Sequence, residues 1–293
     1  MDLKGRTYRL RIAGLEFEDL DITAQIKKSL RPEPNCASIT IHNLSPEHQR
    51  QIEQLNLYDP KRIKGQHRDP RKPKVSGNVP KVGRIPVELE AGYVTTGRHL
   101  IFRGDLRRAI TNTSDGTATT EIEGEDGGRS VLSSRVSQSF PAGTTRLVVV
   151  KACAEALGLG LGNIIQVAHL LQQPYTSGTV ITGSAAAELG GVLRRAGVTY
   201  SIQNGVLQFL AAGQGLDVQA FYLDENTGMV GAPELDSSGQ VVVTCLLLPT
   251  IAPGAFVQLQ SQKTQGVYKV QTVEYDLDLA GQPWYAKLGL VPG

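Results

Sequence analysis

The sequence is poor in the residues that mark redox, metal and membrane chemistry. One Trp, two Met and three Cys stand among 293 residues. Cys36, Cys153 and Cys245 are odd in number, far apart and set in apolar surroundings. That excludes a disulfide framework and a zinc cluster, and reads as reduced, buried thiols. No apolar run approaches the roughly 18 residues that a membrane helix needs, and the opening MDLKGRT lacks the apolar core of a signal peptide. The expectation is a protein made in a cytoplasm, without stable membrane insertion.

Catalytic constellations are missing as well. His42, His48, His67, His99 and His169 never fall at metal-ligand spacing. Gly158, Gly160 and Gly162 follow a helical stretch and lack the G-x-G-x-x-G spacing of a dinucleotide cradle, so they read as a helix-to-strand connector. Asp105, Asp276 and Asp278 lie at strand ends and turns, where carboxylates hydrogen-bond backbone, and nothing marks them as a glycosidase acid pair. Ser130, Ser133, Ser134, Ser137 and Ser139 read as polar filler around a turn, with no G-x-S-x-G elbow. The sequence therefore predicts no catalytic residue, no cofactor and no metal.

What is present is β structure punctuated by 32 glycines. Tyr8, Leu10 and Ile12 alternate with Arg9 and Arg11; Ile22, Ala24 and Ile26 alternate with Thr23 and Gln25. Residues 37–42, 85–91, 99–105 and 117–123 give further strands. One short helix begins at Ser45-Pro46, a capping residue followed by a proline at the first helical position. Residues 1–125 thus read as a six- or seven-stranded barrel or sandwich. Helices are expected over 144–157, ended by Gly158, and over 184–196, begun by Ser184 and ended by Gly197. Asn204-Gly205 between two alternating runs predicts a tight hairpin, since both turn positions favour positive φ. Strands return at 240–247, 255–261, 266–276 and 283–290.

Charge is unevenly spread. Residues 61–84 hold nine Lys/Arg and one Asp, a net +8 within a chain of net +2, which leaves the remainder at about −6. Four prolines in 59–84 and mutual repulsion argue for a loop. Lys61, Arg62, Lys64, Arg68, Arg71, Lys72, Lys74, Lys81 and Arg84 are the candidate partner-docking residues. The segment reads either as a solvated loop or as one that orders against an acidic neighbour. Nucleic-acid contact is a third possibility, but no aromatic lies between residues 61 and 84 to stack on bases.

Taken in order, several fragments resemble the baseplate hub family of tailed phages, contractile bacteriocins and type VI secretion spikes. They are residues 34–45 (PNCASITIHNLS), 87–93 (VELEAGY), 100–105 (LIFRGD), 121–127 (EIEGEDG), 201–207 (SIQNGVL), 226–231 (NTGMVG), 246–249 (LLLP) and Pro253-Gly254. The resemblance runs over nearly the whole chain. It implies a mainly β protein with an α+β insertion: two tube-like β-barrel domains, 1–125 (basic loop at 59–84) and 213–293, flanking a small α+β domain at 126–212. It further implies a homotrimer that joins a hexameric tail tube protein to a trimeric central spike protein. The tape-measure protein and baseplate wedge would be further neighbours, and DNA would pass transiently through the lumen of the virion baseplate. Residues 61–84 depart from this pattern, being longer and more basic than the family connection. Two alternatives belong to other classes: a cell-wall-degrading tail enzyme, and a nucleic-acid-binding module acting through the basic loop.

Overall fold

The computed structural model describes residues 5–55, 84–114, 117–237, 239–262 and 264–293. Its N-terminal strands are β1 (Arg6–Ile12), β2 (Leu15–Phe17), β3 (Ile22–Ser29) and β4 (Asn35–His42), followed by helix α1 (Pro46–Leu55). Then come β5 (Pro86–Tyr93), β6 (Gly97–Ser114) and β7 (Thr117–Asp126). The period-two patterns set the faces: Leu10, Ile26, Ile39, Leu89 and Ile122 are buried, and their neighbours in sequence turn outward. At α1, the Ser45 hydroxyl accepts from His48 N at 3.3 Å, as the cap requires. Ile52 is buried on the inner side of the helix.

The middle of the chain contains α2 (Gly128–Ser133), β8 (Arg135–Phe140), α3 (Arg146–Leu157), α4 (Ile164–Val167), β9 (Thr179–Ser184), α5 (Ala185–Arg194), β10 (Val198–Gln203) and β11 (Val206–Ala211). Gly158 ends α3 with φ 65°. Ser184 caps α5 by accepting from Ala187 N. The Asn204-Gly205 hairpin forms as expected, with φ of 55° and 82°. The serines of 134–139 are a correction: Arg135–Phe140 is a strand, paired antiparallel with β9. Its signal is faint because only Val136 and Phe140 turn inward while the Ser-Gln-Ser between them stays in solvent.

The C-terminal strands are β12 (Phe221–Leu223), β13 (Met229–Leu235), β14 (Val241–Leu246), β15 (Phe256–Gln260), β16 (Gln265–Asp278) and β17 (Trp284–Pro292). The mainly-β fold class with its α+β insertion holds. The two β units are continuous with each other: one 13-stranded sheet runs β13-β14-β17-β16-β3-β4-β7-β6-β5-β1-β2, with β15 and β12 branching from β16. Strand β16 is long enough to serve two neighbours on one edge. Its first part pairs with β15, its second part pairs with β3, and β17 runs along the other edge. One hydrophobic core accordingly joins strands from both ends of the chain, and a second core lies within residues 136–209.

Tertiary ties reinforce this joining. Trp284 is buried, and its indole N–H donates to Gly92 O at 3.2 Å. Arg6 lies over the Trp284 ring and donates to the carbonyls of Asp278, Gly281 and Gln282 in the β16–β17 turn.

Candidate assembly interface

Of the nine predicted docking residues, Arg84 alone is described; Lys61, Arg62, Lys64, Arg68, Arg71, Lys72, Lys74 and Lys81 lie outside the described residues. Arg84 engages its own chain. Its guanidinium donates to Ser130 Oγ at 2.5 Å and to Leu157 O at 3.2 Å, close to Gly158 at the end of α3, and it lies 4.0 Å from Asp105. A cation at a helix C-terminus meets carbonyls that lack helical partners, so Arg84 ties the α+β unit to the sheet.

A buried polar seam completes that junction. Lys28 turns to the core side of β3 and donates to Ile101 O at 2.8 Å and to Asn204 Oδ1 at 2.9 Å. The Asp126 carboxylate accepts from the backbone N–H groups of Asn204 and Gly205. Asn35 donates to Ile202 O and Gln203 Oε1, and Gln203 donates to Ser29 O. The hairpin turn is thus plugged into the sheet by side chains from β3, β4 and β7. Burial raises the Asp126 pKa to about 6, against the opposing effect of the two N–H groups and Lys28. Burial lowers the Lys28 pKa to about 8, against the attraction of Asp126.

The opposite face of the sheet carries a different pattern. Across nine adjacent strands, β17-β16-β3-β4-β7-β6-β5-β1-β2, the outward side chains change sign from strand to strand. Lys287 stands opposite Glu274, which pairs with Lys27 at 2.9 Å. Strand β4 contributes the uncharged Cys36, Ser38 and Thr40, placed between β3 and β7. Glu125 and Glu123 of β7 meet Arg107 and Arg108 of β6 at 2.5 and 3.4 Å. Arg103 meets Glu88 of β5 at 2.8 Å. Arg11 lies between Glu90 and Glu16, and Arg9 meets Glu18 at 2.6 Å. Asp105 on β6 is the one acid that interrupts the alternation there. Hydrogen bonding to Glu18 and Glu16 raises the pKa of Arg9 and Arg11, and that to Glu274 raises the pKa of Lys27. Exposed pairs of this kind each contribute only about 0–1 kcal/mol. Stability alone is a weak reason for so regular a ladder.

The cysteine reading needs one correction. Cys153 and Cys245 are buried, but Cys36 is exposed on this face, near the start of β4. Ala37, Ile39 and Ile41 take the core side of β4, and the period of two turns Cys36 outward.

The family model for baseplate hub gp41 matches residues 9–289. The chain belongs to the baseplate hub gp41 family. Comparison with curated protein sequences finds no match. Among solved structures, the 43 kDa tail protein of prophage MuSo2 from Shewanella oneidensis is similar at a TM-score of 0.62 and 9% identity, covering 98% of each chain. A tail protein from Neisseria meningitidis MC58 gives a TM-score of 0.62 at 11% identity, over 98% of this chain and 96% of that one. The E. coli c3393 protein gives 0.57 at 12% identity, over 97% and 76%. It is described as a type VI secretion component with structural similarity to the T4 tail proteins gp27 and gp5. At these identities the likeness shows the fold alone.

Within this hub fold, the polar seam and the charge ladder were the structural features missed by sequence reasoning. A partial signal existed in the alternation of Arg9 and Arg11, Glu88 and Glu90, and Glu121, Glu123 and Glu125. Without strand order, those residues give no partners. The glycines of 158–162 are placed by packing: a Cβ on Gly162 would lie 2.5 Å from Leu207 O, and Leu207 N donates to Gly160 O at 2.7 Å.

Proposed function

We propose that this hub-family chain is a structural subunit that forms a homotrimer between the hexameric tail tube and the trimeric central spike of a phage or phage-like tail, with no chemistry of its own. The observation that carries the reading is the continuous sheet with two open ends. Strand β13 pairs only with β14, and the short β2 only with β1, among the described residues. Sheets with open edges need partners or protection, and a closed ring of copies covers them.

Residues 1–125 and 213–293 are the two tube-like units of each subunit, and three subunits place six such units around one lumen. The α+β unit, 126–212, is held rigidly to them by Arg84 and the Lys28–Asp126 seam. The likeness to the c3393 protein, itself described as similar to gp27 and gp5, supports a spike-type partner on one side. The tail tube protein lies on the other, with the tape-measure protein and wedge as further neighbours. The virion baseplate is the site of action, after synthesis in the host cytoplasm.

Light scattering behind size exclusion tests the reading, with and without the co-expressed spike protein. Three copies of 31.5 kDa give about 95 kDa. A monomer in both settings refutes it.

A further inference from the structure

We propose that the charge-alternating face of the sheet is the wall of the hub passage, and that its acids mask its arginines and lysines against a passing nucleic acid. The inference rests on the hub reading and assigns a surface to it. Three observations converge on this face. Each of Lys27, Arg103, Arg107 and Arg108 lies within hydrogen-bonding or ion-pair distance of a carboxylate from the neighbouring strand. The strand between the two charged halves presents Cys36, Ser38 and Thr40, short and uncharged, with His42 at its end. Rings that could stack on a base are sparse among the described residues of this face: Tyr285 of β17, opposite Asp276, and His42 at the end of β4.

The physical consequence follows from how proteins hold polyanions. Affinity for DNA comes mainly from basic side chains that displace counterions from phosphates, and stacking on aromatics adds to it. A wall of unpaired arginines would retain the strand that must move past it. A wall without cations, all acid, would repel the strand from the entrance. Pairing most of its bases with acids one strand away leaves a surface that neither holds nor excludes the polymer at distances beyond about 8 Å in physiological salt. Exposed ion pairs contribute little to folding, so surface neutrality accounts for the ladder better than stability does.

Two experiments test this, and the first uses the unaltered protein. Cys36 is the one exposed thiol, since Cys153 and Cys245 are buried. In the assembled trimer with its spike, a small maleimide is expected to label Cys36 while a bulky polyethylene glycol maleimide is excluded; on the dissociated subunit both react. Equal reaction of the bulky reagent with an intact trimer places Cys36 outside the passage and overturns this inference while leaving the hub reading intact. Failure to form any oligomer removes both.

The second compares the wild type with a Glu88→Gln, Glu90→Gln, Glu123→Gln, Glu125→Gln variant in double-stranded DNA binding across salt concentrations. Residues 61–84 contribute equally to both proteins, so the difference reports the face. Unmasking Arg103, Arg107 and Arg108, whose acid partners are all among the four, should steepen the dependence of log affinity on log salt by up to about 3. An unchanged slope in a folded variant overturns the masking role.

Discussion

The Lys28 ammonium and the Asn204 side-chain carbonyl meet at 2.9 Å, across a junction between residues 176 positions apart in sequence. This contact places the tip of the β10–β11 hairpin inside the sheet. It is the best single witness that the α+β unit and the β units of the hub form one body. The seam is satisfied on every side that matters: Asp126 takes both turn N–H groups, Asn35 and Gln203 take the flanking carbonyls, and Lys28 holds Ile101 O. Such a network is sensitive to the loss of any one member.

Asp126→Ala removes the acceptor of two part-buried N–H groups and the countercharge of Lys28. Breaking a buried charged partnership costs about 3–5 kcal/mol. Urea denaturation of the variant should show a correspondingly lowered midpoint, and Asp126→Asn should lose less. A change below 1 kcal/mol in the alanine variant would mean that the seam is wet.

The same pair sets a pH profile. Asp126 binds its proton more tightly when folded, with a pKa of about 6 against an ordinary 3.8. Between these values the folded state carries more protons than the unfolded one, so this group's contribution to stability falls as pH rises from about 4 to 6. Lys28 titrates near 8 when folded against an ordinary 10.5. In that window the unfolded state carries more protons, and stability rises with pH. Denaturant midpoints taken through pH 4.5–10 (roughly this span) should show a trough between about 6 and 8 from these groups. The acid-side slope should disappear in Asp126→Asn.

The cysteines give a simpler check. Burial raises the pKa of Cys153 to about 11 and of Cys245 to about 12, which withholds the reactive thiolate. A colorimetric thiol reagent should modify one cysteine per native, dissociated subunit and three in denaturant. Peptide mapping should place the native label on Cys36. Rapid reaction of two or three thiols in the native protein would contradict the burial of the β14 and α3 side chains.

Arg84→Ala should loosen the α+β unit without unfolding the sheet, because the guanidinium holds Ser130 and the carbonyls that end α3. Hydrogen bonds from a charged donor are worth about 1.5–3 kcal/mol. Hydrogen exchange is the suitable readout: amides in residues 150–160 should exchange faster while those of β3 and β4 stay protected. Uniform protection in the variant would assign Arg84 no structural role.

Much of the fold was legible in the sequence because it is written in local periods. Leu10 and Ile12, Ile39 and Ile41, the Ser45-Pro46 helix start, and Asn204-Gly205 each announce an element through steric or hydrogen-bonding rules that act within a few residues. Strand β13 was not legible: its register shifts between Val230 and Glu234, and Pro233 interrupts the pattern, both of which suit an edge strand. Nor was the joining of the β units, since the β3–β16 pairing links Lys27 to Glu274 across most of the chain. Local patterns carry no information about such a pairing. The candidate site suffered most for the same reason. Arg9, Glu88, Glu123 and Lys27 lie far apart in sequence, and only strand order makes them neighbours. The basic segment drew attention because it is contiguous, yet its one described member, Arg84, is engaged within its own chain.

The central claim is that this chain builds the hub by closing on copies of itself against a spike. The most direct test is the mass of the purified chain, alone and with the neighbouring spike protein, by light scattering behind size exclusion. The account predicts a species of about 95 kDa, three times 31.5 kDa, or a complex containing three copies with the spike. A monomer of 31.5 kDa in both samples, indifferent to the spike, would contradict it.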